Sequence, residues 1–214
     1  TYLQMKDYNN ALKYSTKVIN ANFRPLLVDA YCVKSSALAN LNKLDDAIKL
    51  LQEGLTRCGN EYLLHYNLGL SYFKKKDNQS AIKHLQKAIE IDTTHPGAFL
   101  LYAHALNDTG NWIESFLSFH FFLFLEPNTS RSKEAFGEMY SMLTADLSPD
   151  SPRLQSTDGV DRKAIYVYIS SIKRRSEDPD FQFDFFKNVS QKIFSQLDQI
   201  QNDSKKGVLW DFFV

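Results

Sequence analysis

The chain is poor in cysteine, with only Cys32 and Cys58 among its 214 residues. Two thiols do not make a disulfide framework, and these two lack metal-type spacing, so the redox compartment stays open. Charge of one sign is missing as well. Twenty-five basic and 25 acidic side chains cancel to a formal net charge of 0, so no long-range field draws the chain onto nucleic acid or anionic lipid. Apolar runs are short: the greasiest, Phe121 to Leu125, falls far below the ~20 residues that a membrane-spanning helix requires. The opening Thr-Tyr-Leu-Gln-Met has no charged-then-apolar targeting pattern, which leaves the compartment, cytoplasmic or periplasmic, open. Eight glycines are present, yet none form a phosphate-cradling loop.

Apolar residues make up 43% of the chain and aromatics 14%, ample for a buried core. The arrangement repeats. At a step of 34, the small residues Ser35, Gly69, Ala103 and Gly137 fall into register. Three positions on come Leu38, Tyr72, Leu106 and Tyr140, and just before the small residue come Lys34, Leu68, Tyr102 and Phe136. A downstream small column holds Ala47, Ala81 and Ser115 at the same step, with Ala11 preceding it by 36. A fixed period of this size means stacked supersecondary units.

Within each period the apolar spacing is helical, as in Ala81, Ile82, Leu85, Ala88 and Ile89. Between the helical runs lie breakers: Asn42-Lys43, Lys76-Asp77-Asn78 and Thr109-Gly110-Asn111. Each unit is therefore a helix-turn-helix pair, and its small residues allow two helices to approach closely.

These residues resemble the tetratricopeptide repeat, whose pattern runs Trp-x-x-Leu-Gly-x-x-Tyr and then Ala, Phe, Ala and Pro. His65, Leu68, Gly69, Tyr72, Ala81, Leu85 and Ala88 follow it in one unit. Phe99, Tyr102, Ala103, Leu106, Ser115, Phe119, Phe122 and Pro127 follow it in the next. The resemblance implies an all-α, right-handed α-solenoid over residues 1–145: a partial first unit, with Tyr2 at the Tyr position and its first helix missing, three full units over about 28–127, and the first helix of a fifth.

At Leu147-Ser148-Pro149-Asp150-Ser151-Pro152 the fifth unit breaks off, and residues 146–160 read as a polar loop. Residues 161–214 read as a helical C-terminal extension. One helix is expected from about Asp161 to Arg175, with Ile165, Tyr168, Ile169 and Ile172 on a face; Ile165 to Ile169 could instead form a strand. Another is expected from about Phe183 to Asn202, with Phe186, Val189, Ile193, Leu197 and Ile200. The apolar end, Gly207 to Val214, suggests that the natural protein continues.

Converging catalytic groups are not found, and the chain is expected to be no enzyme and to need no cofactor or metal. The five histidines, His65, His84, His95, His104 and His120, show no ligand spacing on a shared helix face. Glu61 with His65, and His104 with Asp108, read as ordinary helix-surface pairs. No nucleophile elbow surrounds any Ser or Cys. Lys74-Lys75-Lys76 and Lys173-Arg174-Arg175 each end a helix, where cations meet the negative end of the helix dipole, and no aromatics interleave for base stacking. Asp146, Asp150, Asp158 and Asp161 lack calcium-loop spacing.

The resemblance implies that first helices line a concave groove holding an extended peptide or a partner segment. The groove-facing residues would be Tyr66, Asn67, Leu70, Phe73 and Lys74, then Leu101, His104, Asn107 and Asp108, then Arg131, Glu134 and Glu138. Relatives that grip a C-terminal carboxylate use five Lys, Asn and Arg residues; the matching positions here are Cys32, Ser36, Asn67, Gly97 and Leu101, of which one agrees. That activity is not expected.

The outward stripe of the second helices is polar in the first three units: Lys13, Lys17, Asn20; Lys49, Glu53, Thr56; Lys83, Lys87, Glu90. In the fourth it becomes Leu117, Phe121 and Phe124. Exposed, each would forgo roughly 1.5 to 3 kcal/mol of burial, so this face is expected to be covered by the helices between Asp161 and Asn202 through Ile165, Ile169, Phe186 or Ile193. The expected role is a non-catalytic scaffold for a protein or peptide partner, with no membrane span. An accessory domain of a larger enzyme or envelope-associated assembly, and a self-association module, remain alternatives.

Overall fold

The structure, a computed structural model, describes residues 1–145, 162–173 and 181–199. All regular structure among them is α-helical, and the chain divides into two compact units, Thr1–Thr109 and Gly110–Val214. The expected polar loop and the apolar C-terminal end lie outside the described residues.

The first unit holds α1 (Tyr8–Asn20), α2 (Arg24–Asn40), α3 (Leu44–Cys58), α4 (Tyr62–Lys74), α5 (Asn78–Ile91) and α6 (Pro96–Asp108). Its helices pack in sequence, and α2 with α4 and α4 with α6 also touch, bringing successive first helices side by side. Local chemistry sets the ends. Asp7 and Asp77 cap α1 and α5 by accepting from the backbone N–H of Asn10 and Ser80 at 3.1 Å, satisfying donors the helix leaves orphaned. Pro25 and Pro96 occupy the first turns of α2 and α6, where a missing N–H costs nothing.

The turn from first to second helix recurs in detail. Lys6, Asn42, Lys76 and Gly110 adopt left-handed φ values of 57°, 60°, 65° and 82°. The following N–H donates back across the turn, Asp7 to Tyr2, Lys43 to Leu38 and Asp77 to Tyr72. This αL closure ties off helix-end carbonyls, and it places Tyr2 in the same register as Leu38 and Tyr72. A second regularity lies beside it: the start of each second helix is bonded to the end of the next first helix, through Tyr8 with Asn40, Lys75 with Asp45, and Asn78 with Asp108.

The core follows the small-residue columns. Ala11, Ala47, Ala81, Ser115, Ser35, Gly69 and Ala103 are all buried. At Gly69 the closeness is absolute, since an added Cβ would lie 2.5 Å from Leu85 Cγ and 2.8 Å from its Cδ2. Gly137 occupies the same column but is exposed with nothing within 4 Å. No second helix of a fifth unit follows it among the described residues.

Tyr31 is wholly buried at the centre of the first cluster, with Ile19, Leu27, Leu51, Leu64 and Leu68. Its hydroxyl donates to Glu53 Oε1 at 2.6 Å and accepts from Arg57 Nη1 at 2.8 Å. The other Arg57 nitrogen donates to Asn22 Oδ1 at 2.9 Å and to the Ile19 carbonyl at 3.3 Å, so one guanidinium joins the end of α1 to α2 and α3.

The second unit holds α7 (Trp112–Leu125), α8 (Ser130–Thr144), α9 (Arg162–Lys173) and α10 (Phe181–Gln199). A reciprocal capping box between Thr129 and Ser132 starts α8. The helix expected after Asp161 and the one expected near Phe183 are α9 and α10, and Ile165 to Ile169 is helix rather than strand. Phe185, Val189, Ile193 and Leu197, four residues apart, form the buried stripe of α10, which shares Phe186 with α7 and α8 through ring contacts to Phe116 and Phe136.

Candidate functional site

The groove side chains expected on α4 and α6 all belong to the first unit. Tyr66, Phe73 and Leu101 are half-buried and converge on the cluster Ala81, Leu85 and Ala105. They form an apolar surface because the small residues beneath bring the helices close. Asn67 and Leu70 are half-buried, His104 likewise, while Asn107 and Asp108 are exposed. The Asp108 carboxylate accepts from the Asn78 amide at 3.2 Å and so belongs to the inter-repeat row.

Between α2 and α4 this surface opens into a pocket of about 150 Å³, lined by Ser36 and Asn40 from α2 and by Asn67, Leu70, Ser71 and Lys74 from α4. Each amide uses its Nδ2 to donate to its own helix, Asn40 to the Ser36 carbonyl and Asn67 to the Leu63 carbonyl, both at 2.8 Å. Ser71 Oγ donates to the Asn67 carbonyl at 2.8 Å. Asn67, Leu70 and Lys74 are among the groove residues expected from the sequence, whereas Ser36 and Asn40 are not. The repeat could have supplied them, because a step of 34 back from Leu70 and Lys74 lands on Ser36 and Asn40.

The three consecutive lysines after Phe73 separate. Lys75 pairs with Asp45 at 2.5 Å, Lys76 lies over the Phe73 ring at 5.6 Å, and Lys74 lines the pocket. Arg131, Glu134 and Glu138 lie on α8 in the second unit and are exposed. Arg131 pairs with Glu126 at 3.1 Å and lies over Phe122.

His65 corrects the expectation of a surface pair with Glu61. It is buried, and its Nδ1 faces His84 Nδ1 at 3.0 Å while Nε2 meets Asn60 Oδ1 at 2.5 Å. Tyr72 stacks on the His84 ring at 5.5 Å. Burial, with Lys83 and the neighbouring imidazole, pushes His84 down to about 4, and burial with Lys87 lowers His65.

In the second unit the outward stripe of α7 has a mixed environment. Leu117 is fully buried and Phe121 nearly so, but Phe124, in the last turn, is 68% exposed and stands edge-on to Phe121 at 6.5 Å. A covered Phe124 does not match this placement. The α7 residues seen in contact with α10 are Phe116 and His120, one position back from Leu117 and Phe121. His120 stacks on Phe186 at 5.3 Å and meets Phe194 edge-on at 5.5 Å. Its Nδ1 lies 3.0 Å from the Phe116 carbonyl and its Nε2 lies 3.5 Å from Ser190 Oγ. The serine is buried and Phe116, Phe186 and Phe194 pack around the ring, so this Ser–His pair has the character of a packed polar contact.

Comparison with known proteins agrees with the repeat geometry. Residues 28–60 and 62–95 each match the family described as tetratricopeptide repeat. Two tetratricopeptide repeats thus lie within residues 28–95, in a chain that is all-α among its described residues and of the α-solenoid class, and such repeats support a protein-interaction scaffold. Among solved structures, a crystal structure of MamA is similar with a TM-score of 0.57 and 17% identity, covering 89% of this chain and 93% of that one. Another crystal structure of MamA protein gives 0.56 and 17%, covering 94% of this chain and 91% of that one. At such identity the likeness is one of fold. No curated protein matches the sequence. Among the described residues no helix is long and apolar enough to cross a membrane.

Proposed function

We propose that the chain binds an extended peptide or partner segment along the face formed by α2, α4 and α6, using Tyr66, Asn67, Leu70, Phe73, Lys74, Leu101, His104 and Asn107. The observation that carries this reading is the half-burial of Tyr66, Phe73 and Leu101 on one cluster beside the α2–α4 pocket. Such a surface keeps apolar area available while its supports are fixed, and apolar anchors ringed by amide and imidazole groups suit a peptide whose side chains fill the face and whose backbone bonds to Asn67 or Asn107.

A pull-down comparing wild type with Leu70→Glu plus Leu101→Glu tests it, with circular dichroism confirming that the double variant stays helical. Loss of the recovered partners is the expected result. Equal recovery by a folded double variant would sink the groove reading.

A further inference from the structure

We infer that the α2–α4 pocket receives an acidic side chain, Asp or Glu, from within the bound segment, and that Lys74 is its ion partner. The inference rests on the groove reading and adds the chemistry of one ligand position. Three observations lead to it.

First, the pocket's polar lining is hydroxyl, amide and ammonium, with no carboxylate among the residues that form it. Ser36 and Lys74 make no side-chain hydrogen bond or ion pair within the described chain, and each tied-back amide of Asn40 and Asn67 keeps a second N–H. Donors therefore outnumber committed acceptors at the mouth.

Second, the lysine run is sorted so that one cation is left over. Lys75 is spent on Asp45 and Lys76 on the Phe73 ring. A single uncommitted ammonium at the rim of the pocket favours one anion, held by a charge-assisted hydrogen bond.

Third, the size fits one side chain. A cavity of about 150 Å³ holds one glutamate side chain, and its lining of hydroxyl, amide and ammonium groups suits a carboxylate better than an aromatic ring. Next to it the face turns apolar at Tyr66 and Leu101. The ligand read by this arrangement is a short segment with an acidic residue beside an apolar one, and its own chain end plays no part. This separates it from the capture of a terminal carboxylate, whose residue set is absent here.

A phage-displayed library of random short peptides, fused at their C-terminal ends so that no free carboxylate is presented, provides the probe. Wild type should enrich peptides with Asp or Glu adjacent to a large apolar residue. For the leading peptide, made with an amidated end, fluorescence anisotropy should show about a tenfold loss of affinity on Lys74→Met or on replacing the acid by its amide. The two changes together should cost little more than either alone, as expected for direct partners, and Lys74→Arg should retain most of the binding. Lys74 is exposed, so these variants fold.

Enrichment without an acidic preference, or binding indifferent to Lys74→Met, overturns the acidic-side-chain inference. If that binding is still abolished by Leu70→Glu plus Leu101→Glu, the groove reading survives. Peptides that bind the double-leucine variant equally well, or no enrichment at all, overturn both.

Discussion

The Nδ1 atoms of His65 on α4 and His84 on α5 lie 3.0 Å apart. At that distance one ring must donate and the other accept, so the joint between the two helices is made by a single shared proton. The Asn60 oxygen fixes the roles: it accepts from His65 Nε2–H, leaving His65 Nδ1 to accept from His84. A further proton on His65 Nδ1 would set two N–H groups against each other and leave a charged ring in a half-buried site.

Acid should therefore loosen the fold. The folded values of His65, His84 and His120 lie below the ordinary 6.5, with His84 and His120 at about 4, so the native state favours the neutral rings. Their contribution is complete above about pH 6.5, and it is lost as pH falls toward 4. For enclosed His120 the difference corresponds to roughly 3 kcal/mol; half-open His84 contributes less, because solvent screens it. Thermal unfolding followed from pH 7.5 down to 4 should show a falling midpoint in this window, and His84→Gln and His120→Gln should each flatten the slope. A midpoint independent of pH there would contradict the assignment.

Tyr31 should ionise late, as should Tyr62, whose hydroxyl burial also pushes up. Burial and the bond to Glu53 push the Tyr31 hydroxyl up to about 12, above the unfolded value near 10, so the native state favours the protonated form and loses stability as pH rises past 10. Removing the hydroxyl in Tyr31→Phe leaves Glu53 and Arg57 without their common partner and should cost about 1 to 2 kcal/mol. Urea unfolding measures the cost, and alkaline absorbance titration should show one tyrosine fewer in the late phase.

Two glycines from one repeat column should respond to alanine with opposite signs. Gly69→Ala forces a Cβ into Leu85, which is itself fully buried, and should destabilise by about 1 to 3 kcal/mol. Gly137→Ala adds a methyl to open space on a helix and should stabilise by about 0.5 to 1 kcal/mol. Chemical denaturation of the two variants side by side decides it; equal shifts would mean that the column carries no packing information.

Much of the fold was legible because repeats amplify weak signals. A small residue alone says little, but Ser35, Gly69 and Ala103 in register locate a helix pair, and the breakers at Asn42, Lys76 and Gly110 are the left-handed residues of the turns. The histidine pair was not legible. His65 and His84 are 19 residues apart on different helices, and a search for ligand spacing along one helix passes over two rings that meet only across a packed interface. Phe124 escaped for another reason: a period assigns a direction to a side chain, but whether a neighbour reaches the last turn of α7 depends on tertiary placement. The pocket residues Ser36 and Asn40 are within reach through the repeat, but a short serine and an uncharged amide carry no signal of charge or aromaticity that would mark them as a pair.

The recurring turn also says where this chain can change length. From the left-handed residue to the small residue of the second helix the interval is five in every unit, Lys6 to Ala11, Asn42 to Ala47, Lys76 to Ala81 and Gly110 to Ser115. From that small residue to the next first-helix one it varies, 24 from Ala11 to Ser35 but 22 from Ala47 to Gly69. A residue inserted in the turn would rotate the second helix by about 100° and swing its small column off the partner. The segment between units, in contrast, has already absorbed two extra residues without loss of phase. In mechanical terms the turn is a keyed coupling and the inter-unit link a slack one, so a tag, a cleavage site or a label is carried with least disturbance between Ile19 and Leu27.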